Sequence, residues 1–343
     1  MTLTRLTRLT RLTRMTSKVL AATVLIAVSV QASEGVTLNE VTVSTLEELR
    51  SAVESSASNE MDDVIIVAAG TYRAQEDDSY LVELQESEGY GLTITSDGGL
   101  VVLDGDGIAQ VLNVAASSNF SLTLRDVTVA NGIDVSGAGG AIFDVKSLKL
   151  DGVRFENNAG GAVYIYGDYS KGEQVEITDS HFEGNTGKPA FRQDGYYSPL
   201  VIANSTFVNN EGAILAHVNY SNASIFNSIF INNTDDGSVE SVSISGGAQE
   251  LKAVYNSLFH EQLAEAIAEE SVTALRFRSS TQNQVFNSVF LADAQVVSDV
   301  LIEVQNSYLD VSAIQGDAFK KNLMFTGAEP DFVDAENFNF DLG

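Results

Sequence analysis

The sequence predicts an all-β chain wound as a parallel β-solenoid, with one helix covering its N-terminal end. Three observations carry that prediction: a segment that recurs about every 25 residues, alternation of apolar and polar residues over strand lengths within each copy, and a turn position kept for Asn, Asp or Gly. The copies are clearest at Val175–Phe182, Leu200–Phe207 and Ala223–Phe230, and the frame returns at Lys252–Phe259, Asn283–Phe290 and, more loosely, Glu303–Leu309. Upstream it is present at Leu148–Phe155 and Leu122–Val129. The closing apolar residues Val129, Phe155, Phe182, Phe207, Phe230, Phe259, Phe290 and Leu309 lie 26, 27, 25, 23, 29, 31 and 19 residues apart. Two short strands flank the Asn-Ser pair of each copy, and a third apolar stretch such as Gly160–Ile165 or Gly212–Leu215 completes it. Three strands of about four residues with their turns make one rung of a solenoid. Helical repeats would need amphipathic stripes of period 3.6, which this region lacks, and a propeller blade would need about 40 residues.

The elements follow in chain order. Residues 1–32 carry Arg5, Arg8, Arg11, Arg14 and Lys18 with no acid, then the apolar run Val19–Val30 and the small-residue site Val30-Gln31-Ala32. That order reads as a secretory signal cleaved after Ala32, with Met15 as an alternative start, so the product is expected outside the cytoplasm: extracellular, surface-bound or periplasmic. The apolar run is short for a membrane span, and no other segment is apolar enough. Residues 33–62 form an N-terminal cap. Ser44-x-x-Glu47 has the form of a capping box, and Leu46, Leu49 and Val53 share a helical face, placing an amphipathic helix at 45–55. Rungs are expected over 63–310, with 311–343 as a C-terminal capping segment.

Within the rungs, Asn204, Asn227, Asn256, Asn287 and Asn306 share one turn position with Asp126, Gly152 and Asp179. These residue types tolerate positive φ, and stacked amides can bond to one another along the axis. The following serines, Ser180, Ser205, Ser228, Ser257, Ser288 and Ser307, form a parallel column without a repeated base, which argues against nucleophiles. The Phe column two positions later is expected to point inward and stack.

These residues together resemble the secreted right-handed parallel β-helix proteins of the pectin-lyase-like superfamily. Asp63–Tyr72 is similar to that group's first rung, Leu103–Gly107 to its early turn, and Glu329–Asp334 with Asn337–Phe340 to its closing segment. The resemblance implies a single-stranded right-handed parallel β-helix and leaves activity open, because lyases, hydrolases, epimerases, adhesins and inert scaffolds share the fold.

Composition narrows the chemistry. The chain has no Cys, which excludes disulfides, cysteine nucleophiles and thiolate zinc sites. With 19 Lys+Arg against 47 Asp+Glu, a formal charge of −28 disfavours nucleic acid and anionic membrane as partners. The stretches Tyr166–Gln174, Arg192–Ser198 and His217–Asn222 vary in length and composition and are read as loops stacked along one edge. Tyr164, Tyr166, Tyr169, Tyr196, Tyr197 and Tyr220 sit in or beside them, with Lys171, Lys188, Arg192, Asp168, Asp194 and His217. Tyrosine rings suit the faces and rims of sugars, so Tyr166, Tyr169, Tyr196, Tyr197, Tyr220, Arg192 and His217 are the candidate ligand-binding residues for a glycan or other cell-surface polymer.

For catalysis, Arg192, Lys188, Arg276 and Arg278 are the candidate bases of a lyase that eliminates across a uronate with Ca²⁺ on its carboxylate; Asp104 and Asp106 are the candidate calcium ligands. An Arg-x-x-Pro-x-x-Arg-like segment is absent, and the hydrolase-like Asn233-Thr234-Asp235 belongs to a recurrent Asn-Asn turn seen also at 157–158 and 209–210. The sequence therefore favours a non-catalytic, polymer-binding solenoid, with a polysaccharide lyase as the alternative and a glycoside hydrolase behind it. Nothing in it indicates an oligomeric state.

Overall fold

A computed structural model describes residues 38–343 except 117–118, 135–137, 167–173, 196–197, 219, 234–239, 247–250, 262–271, 279–281, 293, 299–301, 306, 308–313, 316–317, 322–331, 335–338 and 343. The expected signal at 1–32 lies outside these residues. Among the described residues no helix is long and apolar enough to cross a membrane.

Among the described residues the strands of the rungs fall into three parallel sheets, of 12, 10 and 9 strands, in which most sheet neighbours are three strands apart in sequence. Ser121–Arg125 of the first sheet, Thr128–Ala130 of the third and Ala141–Asp144 of the second are followed by Ser147–Asp151, back in the first and paired parallel with Ser121–Arg125. The chain thus climbs one strand spacing per circuit, about 4.8 Å. Each rung shows one set of alternate residues to the interior and the other to solvent, as in Val175–Thr178, where Val175 and Ile177 are buried and Glu176 and Thr178 half-buried.

The interior is built from columns. Phe155, Phe182, Phe207, Phe230, Phe259 and Phe290 stack with centroids 5.0, 4.5, 5.1, 4.7 and 4.6 Å apart and nearly parallel planes, all of them buried. The turn before them has positive φ at Asp126, Gly152, Asp179, Asn204, Asn227, Asn256 and Asn287. Asn227 Nδ2 donates to Asn204 Oδ1 at 3.3 Å, Asn256 to Asn227 at 3.3 Å and Asn287 to Asn256 at 3.1 Å, so the expected amide ladder exists; Asn306 lies outside the described residues. The buried serines form their own ladder: Ser180 N–H donates to Ser205 Oγ, Ser205 to Ser228 and Ser228 to Ser257, while each hydroxyl bonds the carbonyl two residues back. Every Oγ is thereby committed to backbone, which fits their reading as structural.

A second amide ladder was not expected. Asn158, Asn185, Asn210 and Asn233 are fully or almost fully buried; Asn158 Nδ2 donates to Asn185 Oδ1 at 2.9 Å, Asn185 to Asn210 at 2.8 Å and Asn210 to Asn233 at 2.8 Å. Each amide also bonds a Phe-column or Val129 carbonyl. A buried amide without partners would cost about 1–3 kcal/mol, and the ladder removes that cost at every rung. Asn233 is thus a ladder member, in keeping with its rejection as part of a hydrolase motif.

The cap differs from expectation by one residue. The helix spans Leu46–Ser56 and its N-cap is Thr45, whose Oγ1 accepts from Glu48 N–H at 3.1 Å while Glu48 Oε2 accepts from Thr45 N–H at 3.2 Å. Ser44 also donates to that carboxylate, from N–H and hydroxyl, which is why the Ser44 register looked plausible. Leu46, Leu49 and Val53 are buried as read. Before the helix, Leu38–Val43 pairs parallel with Asp62–Val67 and adds a strand to the first sheet that the sequence did not reveal. At the other end Phe332–Asp334 and Asn339–Leu342 form an antiparallel pair.

Candidate functional site

The polar residues that break the regular pattern gather on the outward face of the second sheet. Strands Val163–Tyr166, Phe191–Gly195, Ile214–Val218, Val242–Ser245 and Val272–Arg278 are successive neighbours there. Register places Tyr164 beside Arg192 and Arg192 beside Leu215, and in the next outward column Tyr166, Asp194 and His217 side by side. The columns continue through Ser243 to Arg276 and through Ser245 to Arg278.

Arg192, Asp194 and His217 are therefore strand residues, not loop residues as the sequence reading had them. The strand of Arg192 and Asp194 was hidden by Gln193, which alternation assigns to the interior and which is completely buried there, its Nε2 donating to Ser198 C=O at 3.0 Å. A polar residue at an inward position makes Arg-Gln-Asp read as a continuous polar loop.

Asp194 is the centre of the cluster. Its Oδ1 lies 2.6 Å from His217 Nδ1, and its Oδ2 accepts from Arg192 Nη2 at 2.5 Å and from Tyr164 Oη at 3.1 Å. The Arg192 guanidinium sits over the Tyr164 ring, 4.6 Å from its centroid, and the Tyr164 and Tyr166 rings are 5.7 Å apart. Burial pushes the Asp194 carboxyl up, but the hydrogen bonds from His217 and Arg192, the Arg192 charge and the Tyr164 hydroxyl outweigh it and hold the group below its ordinary value. Burial, then the Asp194 charge, raises the Tyr164 phenol; burial and the Asp144 charge raise that of Tyr166. Both phenols are thus kept protonated. With Nδ1 engaged by the Asp194 carboxylate, Nε2 is the His217 ring nitrogen left for a partner outside, and the side chain is 45% exposed.

The other candidates divide. Tyr166 and Tyr220 are exposed, at 42% and 59%, and Tyr220 occupies a turn at positive φ directly after the His217 strand. Tyr169, Tyr196, Tyr197, Asp168 and Lys171 lie outside the described residues. Arg276 Nε and Arg278 Nη2 both lie 2.5 Å from Glu240 Oε1, so these two join the face as an ion-paired trio. Lys188 Nζ is 2.6 Å from Asp134 Oδ2, a tie between rungs that takes it away from the Asp194 cluster. Asp104 is buried: Oδ2 accepts from Arg73 Nη2 at 3.1 Å, and Oδ1 from Asp106 N–H and Asn131 Nδ2, each at 2.9 Å. Arg73 Nε also lies 3.5 Å from Asp106 Oδ1. One guanidinium thus lies against both carboxylates of the calcium candidate, and among the described residues no three acidic or histidine side chains converge as a metal site would require.

Comparison with known proteins bears on the fold. No curated protein matches the chain. Among solved structures it is similar to a family 6 polysaccharide lyase from Pseudopedobacter saltans, at 13% identity over 86% of this chain and 94% of that one, with a TM-score of 0.40. A mannuronic acid-specific family 6 lyase from the human gut microbiota aligns at 11% identity over 89% and 72% of the two chains, TM-score 0.34. A pectin methylesterase from Aspergillus niger aligns at 15% over 88% and 93%, TM-score 0.30. Likeness at this level says nothing of this chain's chemistry. Residues 107–290, more than half of the sequence, match the family described as the right handed beta helix region, and with three stacked parallel sheets built from those same rungs the chain belongs to that family.

Proposed function

We propose that this protein binds a uronate-containing polysaccharide across the outward face of the second sheet and cleaves it by β-elimination at the Tyr164–Arg192–Asp194–His217 cluster. The observation that supports this reading is the Asp194 bridge: one ionised carboxylate orients an imidazole, a guanidinium and a phenol toward the same stretch of solvent-facing sheet. In the proposed step His217 Nε2 takes the proton α to the uronate carboxylate, the resulting electron pair forms the ring double bond, and the bond to the leaving glycosidic oxygen breaks. Tyr164 or Tyr166, kept protonated, donates the proton that oxygen needs, and solvent restores both groups. Arg192, 34% exposed, supplies positive charge beside the substrate carboxylate. Arg276 and Arg278 lie farther along the same columns and share Glu240, so an acidic polymer meets three guanidiniums against the two carboxylates of Asp194 and Glu240 on this face.

A second reading, binding without cleavage, is favoured by one observation: Tyr166 and Tyr220, the most exposed tyrosines among the described residues, lie on the cluster's own strands or the turn that follows them and suit sugar stacking by themselves. The N-terminal charge order further supports the proposal that the protein meets its polymer after export.

The experiment is a panel of polygalacturonate, alginate and neutral polysaccharides, with and without calcium, followed by the absorbance of unsaturated uronate ends. The expected outcome is product from an acidic polymer that is abolished in His217→Ala and reduced at least about 100-fold in Arg192→Ala. Retarded migration on the acidic polymer with no product would support binding alone.

A further inference from the structure

The first sheet carries a surface of the opposite character. On its outward side, register aligns Ala203, Phe226, Tyr255 and Phe286 in one column and Val201, Ser224, Ala253 and Gln284 in the next. The exposed turn residues Asn204, Asn227, Asn256 and Asn287 run alongside as a third column. Twelve residues over four rungs, roughly 14 Å of axis at one strand spacing per rung, contain no charged side chain. Glu176 and Asp179 bound this strip at one end and Glu303 at the other. On a chain of formal charge −28, these twelve positions carry no charge of either sign.

Its chemistry is specific. Phe226, Tyr255 and Phe286 are half-buried, the Tyr255 and Phe286 rings lie 5.5 Å apart, and Tyr255 Oη donates to Gln284 Oε1 at 3.0 Å. Ala203 and Ala253 belong to the same outward columns yet are buried, as larger neighbours in those columns leave their methyl groups covered. In the adjoining ladder each amide gives one N–H to the rung before it, Asn204 to Asp179 Oδ1 at 3.2 Å and the others to one another. A side-chain amide has two N–H donors and two carbonyl lone pairs, so every exposed Asn retains one donor and at least one lone pair for what lies outside. Half-buried aromatic rings beside a row of amide donors and acceptors, repeated at rung spacing, match a polymer that alternates apolar patches with hydroxyl rims.

We propose that this strip is a second polymer site, selective for neutral polysaccharide and separate from the Asp194 face. A uronate finds no cation within it, whereas a neutral chain gives up no charge hydration on binding. The proposal stands apart from the lyase reading: the strip variants below should leave formation of unsaturated product unchanged.

The test is affinity electrophoresis and sedimentation of the full chain with hydroxyethylcellulose and glucomannan as probes. The wild type should be retarded by at least one of them, with little change on adding salt, because no screened ion pair takes part. Tyr255→Ala combined with Phe286→Ala should weaken that retardation about tenfold or more. Ser224→Arg, which keeps the rings and places a bulky charged side chain in the middle of the strip, should weaken it comparably while the melting temperature stays near wild type. Absence of retardation on both probes would overturn the proposal, as would full retention by Ser224→Arg. A concentration-dependent dimer that Ser224→Arg dissociates would also overturn it, since the strip would then belong to a second copy of the chain.

Discussion

The interior columns and the outward face of the second sheet belong to the same rungs, yet they obey opposite rules. Inside and at the turns, identity repeats: Phe follows Phe, Ser follows Ser and Asn follows Asn, each bonded to its own kind one rung away. On the outward face, register brings together unlike residues, Tyr166 beside Asp194 beside His217, and their bonds run between different chemistries. In a solenoid, repetition marks what each rung needs in order to stack on the next. A local departure from repetition marks what the stack was built to present.

That contrast can be broken from the structural side first. Phe207→Ala removes a ring stacked between Phe182 and Phe230 in a fully buried column and should cost about 3–5 kcal/mol, read as a lower midpoint of denaturant unfolding. Asn210→Leu should cost about 2–4 kcal/mol, because Asn185 loses the acceptor of both its N–H and its Nδ2 bonds in a buried place. Asn227→Leu, at an exposed turn with φ of 50°, should cost less, about 1–2 kcal/mol, mostly from forcing a branched residue into the left-handed region. If the buried and exposed ladders proved equally sensitive, burial would not be what separates them.

The two ladders also show what the sequence could and could not reveal. The exposed ladder, the Phe column and the period were legible because one residue type returns at a nearly constant spacing. Three of the buried ladder's four members were visible only as the second Asn of an Asn-Asn pair, which turn propensity alone accounts for, and Asn185 follows a glycine; only the hydrogen bonds between rungs show that all four point inward to one another. The candidate site was legible as a list: Arg192, Asp194, His217 and Tyr164 were all noticed. Their convergence was not, because inward Gln193 disguised a strand as a loop, and because residues 23 to 30 positions apart become neighbours only once rung lengths are fixed. The Asp104 turn shows the reverse: two acids in sequence suggested a cation, and the distant Arg73 supplies one.

A smaller effect sharpens the comparison at Asp194. Its carboxyl is held below the ordinary value in the folded chain, so it stabilises the fold above the unfolded aspartate pKa and loses that contribution as pH falls through the depressed folded value. The melting temperature of the wild type should therefore exceed that of Asp194→Asn at neutral pH, and the gap should shrink toward about pH 3 and below, beneath the ordinary aspartate range. A gap that widened on acidification would mean that the carboxylate is a burden to the fold.

The account's central claim is that the unlike residues around Asp194 are kept for chemistry and not for stacking. It is tested most directly by one paired measurement on His217→Ala: melting temperature, and initial rate of unsaturated product on polygalacturonate and alginate at equal folded concentration. The account predicts a melting temperature near wild type, because His217 lies on the outward face and is 45% exposed, together with loss of at least about 100-fold in rate on the polymer the wild type cleaves. A variant that turns over like the wild type, or one that unfolds as readily as Asn210→Leu, would contradict it.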